Sequence, residues 1–200
     1  MPTLTLSLAL ALAAAALPAA PLPLCAHSTP VAPLRSPHTL WCLPTAVVAA
    51  LGPRAPADLT PRALARSVTM HKDGTTVAEI GQALDDLGIP WLALHATPSA
   101  LATLLDTAAA PVVAVVPSGG THHAVVVDGA GCCPDQSPAC TRLRAMDPAT
   151  GAHTVLAESE LHNAPLLVVA PPSARQRAAL AQFIRRNPTL ARQLGAGRHW

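Results

Sequence analysis

The chain has 200 residues, 50% of them hydrophobic and 12% charged, with a formal charge of +2. That length suits one domain with a leader or a trailing element. The balanced charge, with no long basic or acidic run, excludes a nucleic-acid-binding surface of the usual kind. The Arg residues of "ARQRAALAQFIRR" are those of a solvated helical face.

Residues 4–20, "LTLSLALALAAAALPAA", are apolar and uncharged, and prolines and small residues follow them. Residues 1–26 therefore read as a signal peptide, with an uncleaved membrane anchor as the alternative because no Lys or Arg precedes the run. "LPLC" at 22–25 is similar to a lipoprotein box, except that Leu24 stands where a small residue is usual. Residues 27–37 form a Pro-rich linker. The mature chain is expected outside the cytoplasm, secreted or in the periplasm or cell envelope, with membrane association only through its N-terminal segment. It is expected to be a monomer.

From Pro44, "PTAVVAALG" has the composition of a helix closed by Gly52. "TPRALARSV" is a second, with Thr60 as N-cap and Pro61 in its first turn. "TTVAEIGQALDDLG" is a third, with Val77, Ile80, Leu84 and Leu87 at helical spacing. The pattern then changes. "PWLAL" reads as a strand and "PSALATLLDTA" as a helix. The unbroken Val run of "PVVAVVP" suggests a strand buried on both faces. "HHAVVVDGAG" is a strand, and "RLRAMDPATGAHTVLA" is strand, turn and strand about "DPATG". "APLLVVAP" is expected to be the last strand, and 173–200 a helical tail. Helices first and neighbouring strands later define an α+β domain over 38–172.

Five cysteines are present: Cys25, Cys42, Cys132, Cys133 and Cys140. Within "GCCPDQSPAC", Cys140 can close a loop to Cys132 or Cys133, as suits an oxidising compartment, and Cys133–Cys140 is the pairing expected. The spacing does not suit zinc, and no metal site is read elsewhere. Cys42 stands alone, just before an apolar helix. It is either a buried structural residue or a thiol activated by a helix N-terminus. His122 and His123 open a Val-rich strand, so their side chains diverge. Either is an edge residue or the base of a Cys–His pair. Asp147 in "DPATG" is a turn former or the group that orients an imidazole.

Taken together, "CLPTAVVAAL", "KDGTTVAEIGQALDDLGI", "HAVVVDG" and "DPATG" resemble, in order, the blocks of the C39-like branch of papain-fold cysteine peptidases. The resemblance covers about 38–170 and implies a papain-like fold with N-terminal helices packed on an antiparallel sheet. It implies Cys42 as nucleophile, His123 rather than His122 as base, and Asp147 as the group that holds the ring. It also implies a peptide or protein substrate, a thioester intermediate and no cofactor. The family's oxyanion-donating Gln, a few residues before the Cys, has no counterpart in "LRSPHTLWC". Ser36 and His38 are the side chains available to replace it. Trp41 either lines the substrate groove or packs. Gly119–Gly120 resembles the double-glycine signal that some members cleave, but its place between two strands makes it a hairpin turn. No P-loop motif occurs. Two further readings use the same residues: a transpeptidase or other acyltransferase, and a non-catalytic peptide-binding module favoured by the missing Gln.

Overall fold

A computed structural model describes residues 30–132, 141–161, 164–171 and 173–200. The expected leader, Cys25 and the Cys133–Cys140 pairing lie outside these residues. Among these residues five α-helices run Cys42–Leu51 (α1), Pro61–Arg66 (α2), Val77–Asp86 (α3), Pro98–Ala108 (α4) and Ala174–Arg186 (α5). Seven strands run Trp91–Ala96 (β1), Val112–Ser118 (β2), Thr121–Cys132 (β3), Thr141–Asp147 (β4), Ala152–Leu156 (β5), Pro165–Val169 (β6) and Ala191–Ala196 (β7). They form one antiparallel sheet in the order β5-β4-β3-β2-β6-β1-β7. The chain is thus α+β, with helices packed on an antiparallel sheet.

Strand alternation sends successive side chains to opposite faces, and here both faces are covered. Val112 and Ala114 of β2 and Val125 and Val127 of β3 meet Leu101, Leu104 and Leu105 of α4 and Leu180 and Ile184 of α5. Val113, Val126, Leu167 and Trp91 instead meet Leu43, Val47 and Leu51 of α1 and Ile80 and Leu84 of α3. The Val run of β2 is therefore buried on both sides, as its composition suggests.

Helix α1 is apolar nearly all round, and eight of its ten residues are buried. A helix of that kind belongs inside a core rather than on its surface. Burying each Leu or Val is worth roughly 1.5–3 kcal/mol, so α1 is held firmly in place. Gly52, at φ 52°, ends it. Arg54 then folds back to donate to the carbonyls of Ala50 and Leu51 at the helix C-terminus and to that of Ala170 beyond β6. Helix α3 begins with a reciprocal cap in which Thr76 and Glu79 each satisfy the other's backbone N–H.

The expectation of a helical tail over 173–200 is corrected. Only Ala174–Arg186 is helical, and Ala191–Ala196 is a strand pairing with β1 from Leu92 to Ala96. β6 is consequently not the last strand, and the tail belongs to the domain. The cause is tertiary. β6 satisfies one side of β1, and "ARQLGA" fills the other, although its own side chains are largely exposed. The expected linker is also fastened where it is described. Val31 is buried and donates its N–H to Asp128, and Ser36 donates its N–H to the Pro148 carbonyl.

Trp91 packs against two glycines. A Cβ built on Gly81 would lie 2.5 Å from the six-membered ring of the indole, and one on Gly197 would lie 2.5 Å from its five-membered ring. Gly81→Ala would gain about 1 kcal/mol of helix propensity. The indole must shift to admit that methyl, and overpacking costs about 1–3 kcal/mol. A net loss of up to about 2 kcal/mol is expected, read as a lower midpoint in urea unfolding with an unchanged m-value.

Candidate active site

Residues Thr39–Trp41 make a short 3-10 turn that feeds directly into α1, so Cys42 is the first residue of the helix. Pro44 is accommodated because N–H groups in the first turn have no intrahelical acceptor. One of those spare donors, the Leu43 N–H, is directed at the Cys42 sulfur, and the Ala124 N–H of β3 is a second. The thiol is free and half-buried. Burial pushes its pKa up, but the hydrogen bond with the His123 ring, the Ala124 amide, the charge of His123 and the Leu43 amide together bring it below the ordinary thiol value. A thiol pKa lowered in this way is the condition a reactive cysteine needs.

His123 lies near the start of β3, and Asp147 ends β4. The imidazole Nε2 donates to Asp147 Oδ1 at 2.6 Å, which leaves Nδ1 as the ring nitrogen open to the thiol. The hydrogen bond with Cys42 raises the His123 pKa, burial opposes it, and the Asp147 bond and charge add to the rise, to about 9. Asp147 fills both of the roles its motif allows. Besides holding the ring, Oδ1 accepts the Ala149 N–H at 2.8 Å, and the Asp147 carbonyl accepts the Gly151 N–H at 2.7 Å. The turn fixes the carboxylate and the carboxylate fixes the ring. His122, one residue earlier, lines a different hollow. The turn of the β2–β3 hairpin is Gly119–Gly120, both at positive φ, as a two-residue turn between paired Ser118 and Thr121 requires.

Cys42 and His123 open into a cleft of about 310 Å³ whose other walls are Arg35, Ser36, Pro37, His38, Thr39 and Ala149. Both candidate oxyanion residues are therefore in the cleft. Trp41 is not among the residues that line it, and its ring lies 5.5 Å from that of His38. A larger hollow of about 640 Å³ is lined by Leu43 and His122, the chain neighbours of Cys42 and His123, with Val77, Trp91, Val115 and Leu194 among its walls. Among the described residues, no group of three His, Cys, Asp or Glu side chains is arranged to hold a metal.

Sequence reasoning passed over Asp128. It is fully buried, accepting from the Val31 N–H at 2.8 Å and Arg144 Nε at 2.8 Å, with His153 Nε2 at 3.1 Å. A carboxylate inside "AVVVDG" has to be paired to be buried at all, and that was the available signal. Its effect is to fasten the segment that leads to Ser36 and His38. The amides of Leu43 and Ala124 were also missed, since backbone donors carry no sequence signature.

No protein-family model matches the sequence, and no curated protein matches it. Solved structures similar to it include two peptidases. One is the peptidase domain of Streptococcus ComA, a bifunctional ABC transporter involved in quorum sensing, at 20% identity and a TM-score of 0.52, covering 69% of this chain and 96% of that one. The other is a double-glycine-motif protease from an AMS/PCAT transporter, solved with its leader peptide. It is 14% identical with a TM-score of 0.53, covering 76% of this chain and 99% of that one. The chain therefore has the papain-like fold of the C39 double-glycine peptidase domains.

Iodoacetamide should alkylate Cys42 faster than a free cysteine, with the rate rising along an acid limb below the ordinary thiol pKa of about 8.5. His123→Ala should return that limb to the ordinary range or above it, because burial then acts on the thiol with less opposition. Peptide mapping of the alkylated protein across pH reads both.

Proposed function

We propose that this chain is an exported cysteine peptidase that hydrolyses peptide bonds through Cys42, His123 and Asp147. The observation that carries this reading is the continuous line from the Cys42 thiol through the His123 ring to Asp147, drawn from α1, β3 and β4. The fold shared with two peptidase domains supports it. The leader peptide bound to one of them supports a peptide as substrate here. Export is inferred from the apolar leader and the cysteine usage.

The mechanism follows from the charges. The thiolate attacks the scissile carbonyl carbon, and the carbonyl oxygen becomes an oxyanion opposite the Cys42 backbone N–H. The His123 imidazolium, steadied by Asp147, gives its proton to the departing amine as the C–N bond breaks. The thioester left on Cys42 is hydrolysed by water, whose proton His123 accepts. The carboxylate product leaves and the thiolate is restored. The larger hollow beside Leu43 offers apolar wall area for substrate side chains next to the reacting bond.

The working state needs the thiolate and the imidazolium together. Such a pair exists above the depressed Cys42 value and below the raised His123 value. Hydrolysis should therefore rise on an acid limb and fall as pH passes about 9, where the imidazolium loses its proton. A peptide library with mass-spectrometric readout, assayed against pH, tests this. Cys42→Ala should abolish cleavage. Asp147→Ala should lower kcat by at least about 100-fold through loss of a general acid–base contribution. Adding an amine nucleophile separates peptidase from acyltransferase: cleavage products with free carboxylates uphold the proposal, and amide-linked products alone overturn it.

A further inference from the structure

An oxyanion forming on a carbon bonded to Cys42 needs a second donor besides the Cys42 N–H, and the cleft wall Arg35–Thr39 is where one can come from. We propose that His38 supplies it, donating from Nε2 to the developing oxyanion. This rests on the peptidase reading and goes beyond it by choosing between the side chains of that wall.

The choice follows from which protons are already committed. Ser36 has one hydroxyl proton, and it is given to the His38 carbonyl at 2.6 Å. Its oxygen also accepts from Thr45 Oγ1 at 3.2 Å and from the His38 N–H at 3.4 Å. Ser36 is thus saturated within the segment and has nothing to donate outward. His38 is in the opposite condition. It is the N-cap of the turn that leads into α1, and its Nδ1 accepts the Leu40 N–H at 3.2 Å. A neutral imidazole whose Nδ1 accepts must carry its proton on Nε2. Among the described residues nothing accepts from that nitrogen.

The donor is also held in place. The cap fixes one edge of the ring, and the Trp41 indole lies 5.5 Å away at 34°. The His38 backbone is bracketed by Ser36 at both its N–H and its carbonyl, which also accepts the Trp41 N–H at 3.0 Å. Ser36 is itself tied to the Pro148 carbonyl at 2.7 Å, next to Asp147. Fixed donors are what lower the cost of oxyanion formation, since nothing has to reorganise as charge appears. Arg35 is the competing donor on this wall. Its backbone and Cβ lie against Gly151, but its long, exposed side chain has no comparable fixing. Ser36 is a positioning residue, and His38 is the group that touches the reacting oxygen.

Two small reagents separate the oxyanion from the thiolate. Iodoacetamide alkylates the thiolate by displacing iodide and forms no oxyanion. p-Nitrophenyl acetate acetylates it through a tetrahedral oxyanion that collapses to acetyl-Cys42 and p-nitrophenolate, followed by absorbance. His38→Asn keeps an acceptor for the Leu40 N–H but withdraws the donor at the Nε2 position, whereas His38→Gln keeps a donor of similar reach. His38→Asn should slow acetylation about 100-fold while alkylation stays within about twofold, and His38→Gln should recover at least about tenfold of the loss. Thermal unfolding of both variants confirms that they are folded.

Equal rates of acetylation in wild type and His38→Asn would overturn the proposal. So would parallel loss of both reactions, which would place His38 in thiolate stabilisation, or a larger loss in Ser36→Ala or Arg35→Ala. Wild-type protein that alkylates rapidly but acetylates no faster than a free thiol would leave the nucleophile standing and overturn the oxyanion site. Wild-type protein that does not alkylate rapidly would instead sink the peptidase reading itself.

Discussion

The hydrogen bond between the Cys42 thiol and the His123 ring joins the helical layer of this molecule to its sheet, and the site exists only because both partners are immobile. On one side is α1, buried along most of its length and braced at its C-terminus by Arg54. On the other is β3, flanked by β2 and β4 and covered on both faces. A thiol at this depth would ordinarily be pushed toward its neutral form. Two amides and an imidazole reverse that, because the α1 N-terminus abuts the end of β3 where the Ala124 N–H and the His123 ring lie close together. Burial and activation are thus two results of one packing decision.

The residues around the Cys42–His123 pair divide by how they are held. Cys42, His123 and Asp147 sit at the ends of regular elements, so core packing fixes them. The opposite wall, Arg35 to Thr39, is nearly all surface and depends on hydrogen bonds. Val31 is fastened to buried Asp128, Ser36 to Pro148, and Thr45 of α1 to Ser36. Asp128 is consequently a distant support for the rim. It ties the incoming segment to β3, while Arg144 on β4 and His153 on β5 pair with the same carboxylate. A rim held by a few polar bonds can be adapted without disturbing the core, and Ser36 and His38 both fall in that part.

Much of the architecture was legible in local patterns. Thr60–Pro61 and the Thr76–Glu79 pair mark helix starts with side chains that cap them. Gly119–Gly120 marks a turn, and the Val runs mark buried strands. What was not legible lacks a local cause. "ARQLGA" has no strand signature and becomes β7 because β1 has an edge to satisfy. Asp128 reads as one polar residue closing an apolar run until its three partners, 16 to 97 residues away, are brought to it.

For the site, the sequence by itself determined which residues could react: a lone cysteine before an apolar helix, a histidine opening a Val-rich strand, and an aspartate at a Pro turn. Residue types and spacing alone left open whether Cys42 was inert and whether Asp147 served the turn or the ring, while the resemblance of the motif blocks favoured His123 over His122. Tertiary structure brings Cys42, His123 and Asp147 together. Strand alternation turned His123 toward Asp147 and sent His122 to another hollow, and the turn at Pro148 placed one carboxylate oxygen where it serves both a backbone amide and an imidazole. The physical reason is that reactivity here depends on the direction of donors. Residue types are written in the sequence, but the directions of N–H bonds from three separated segments are set only when those segments pack together.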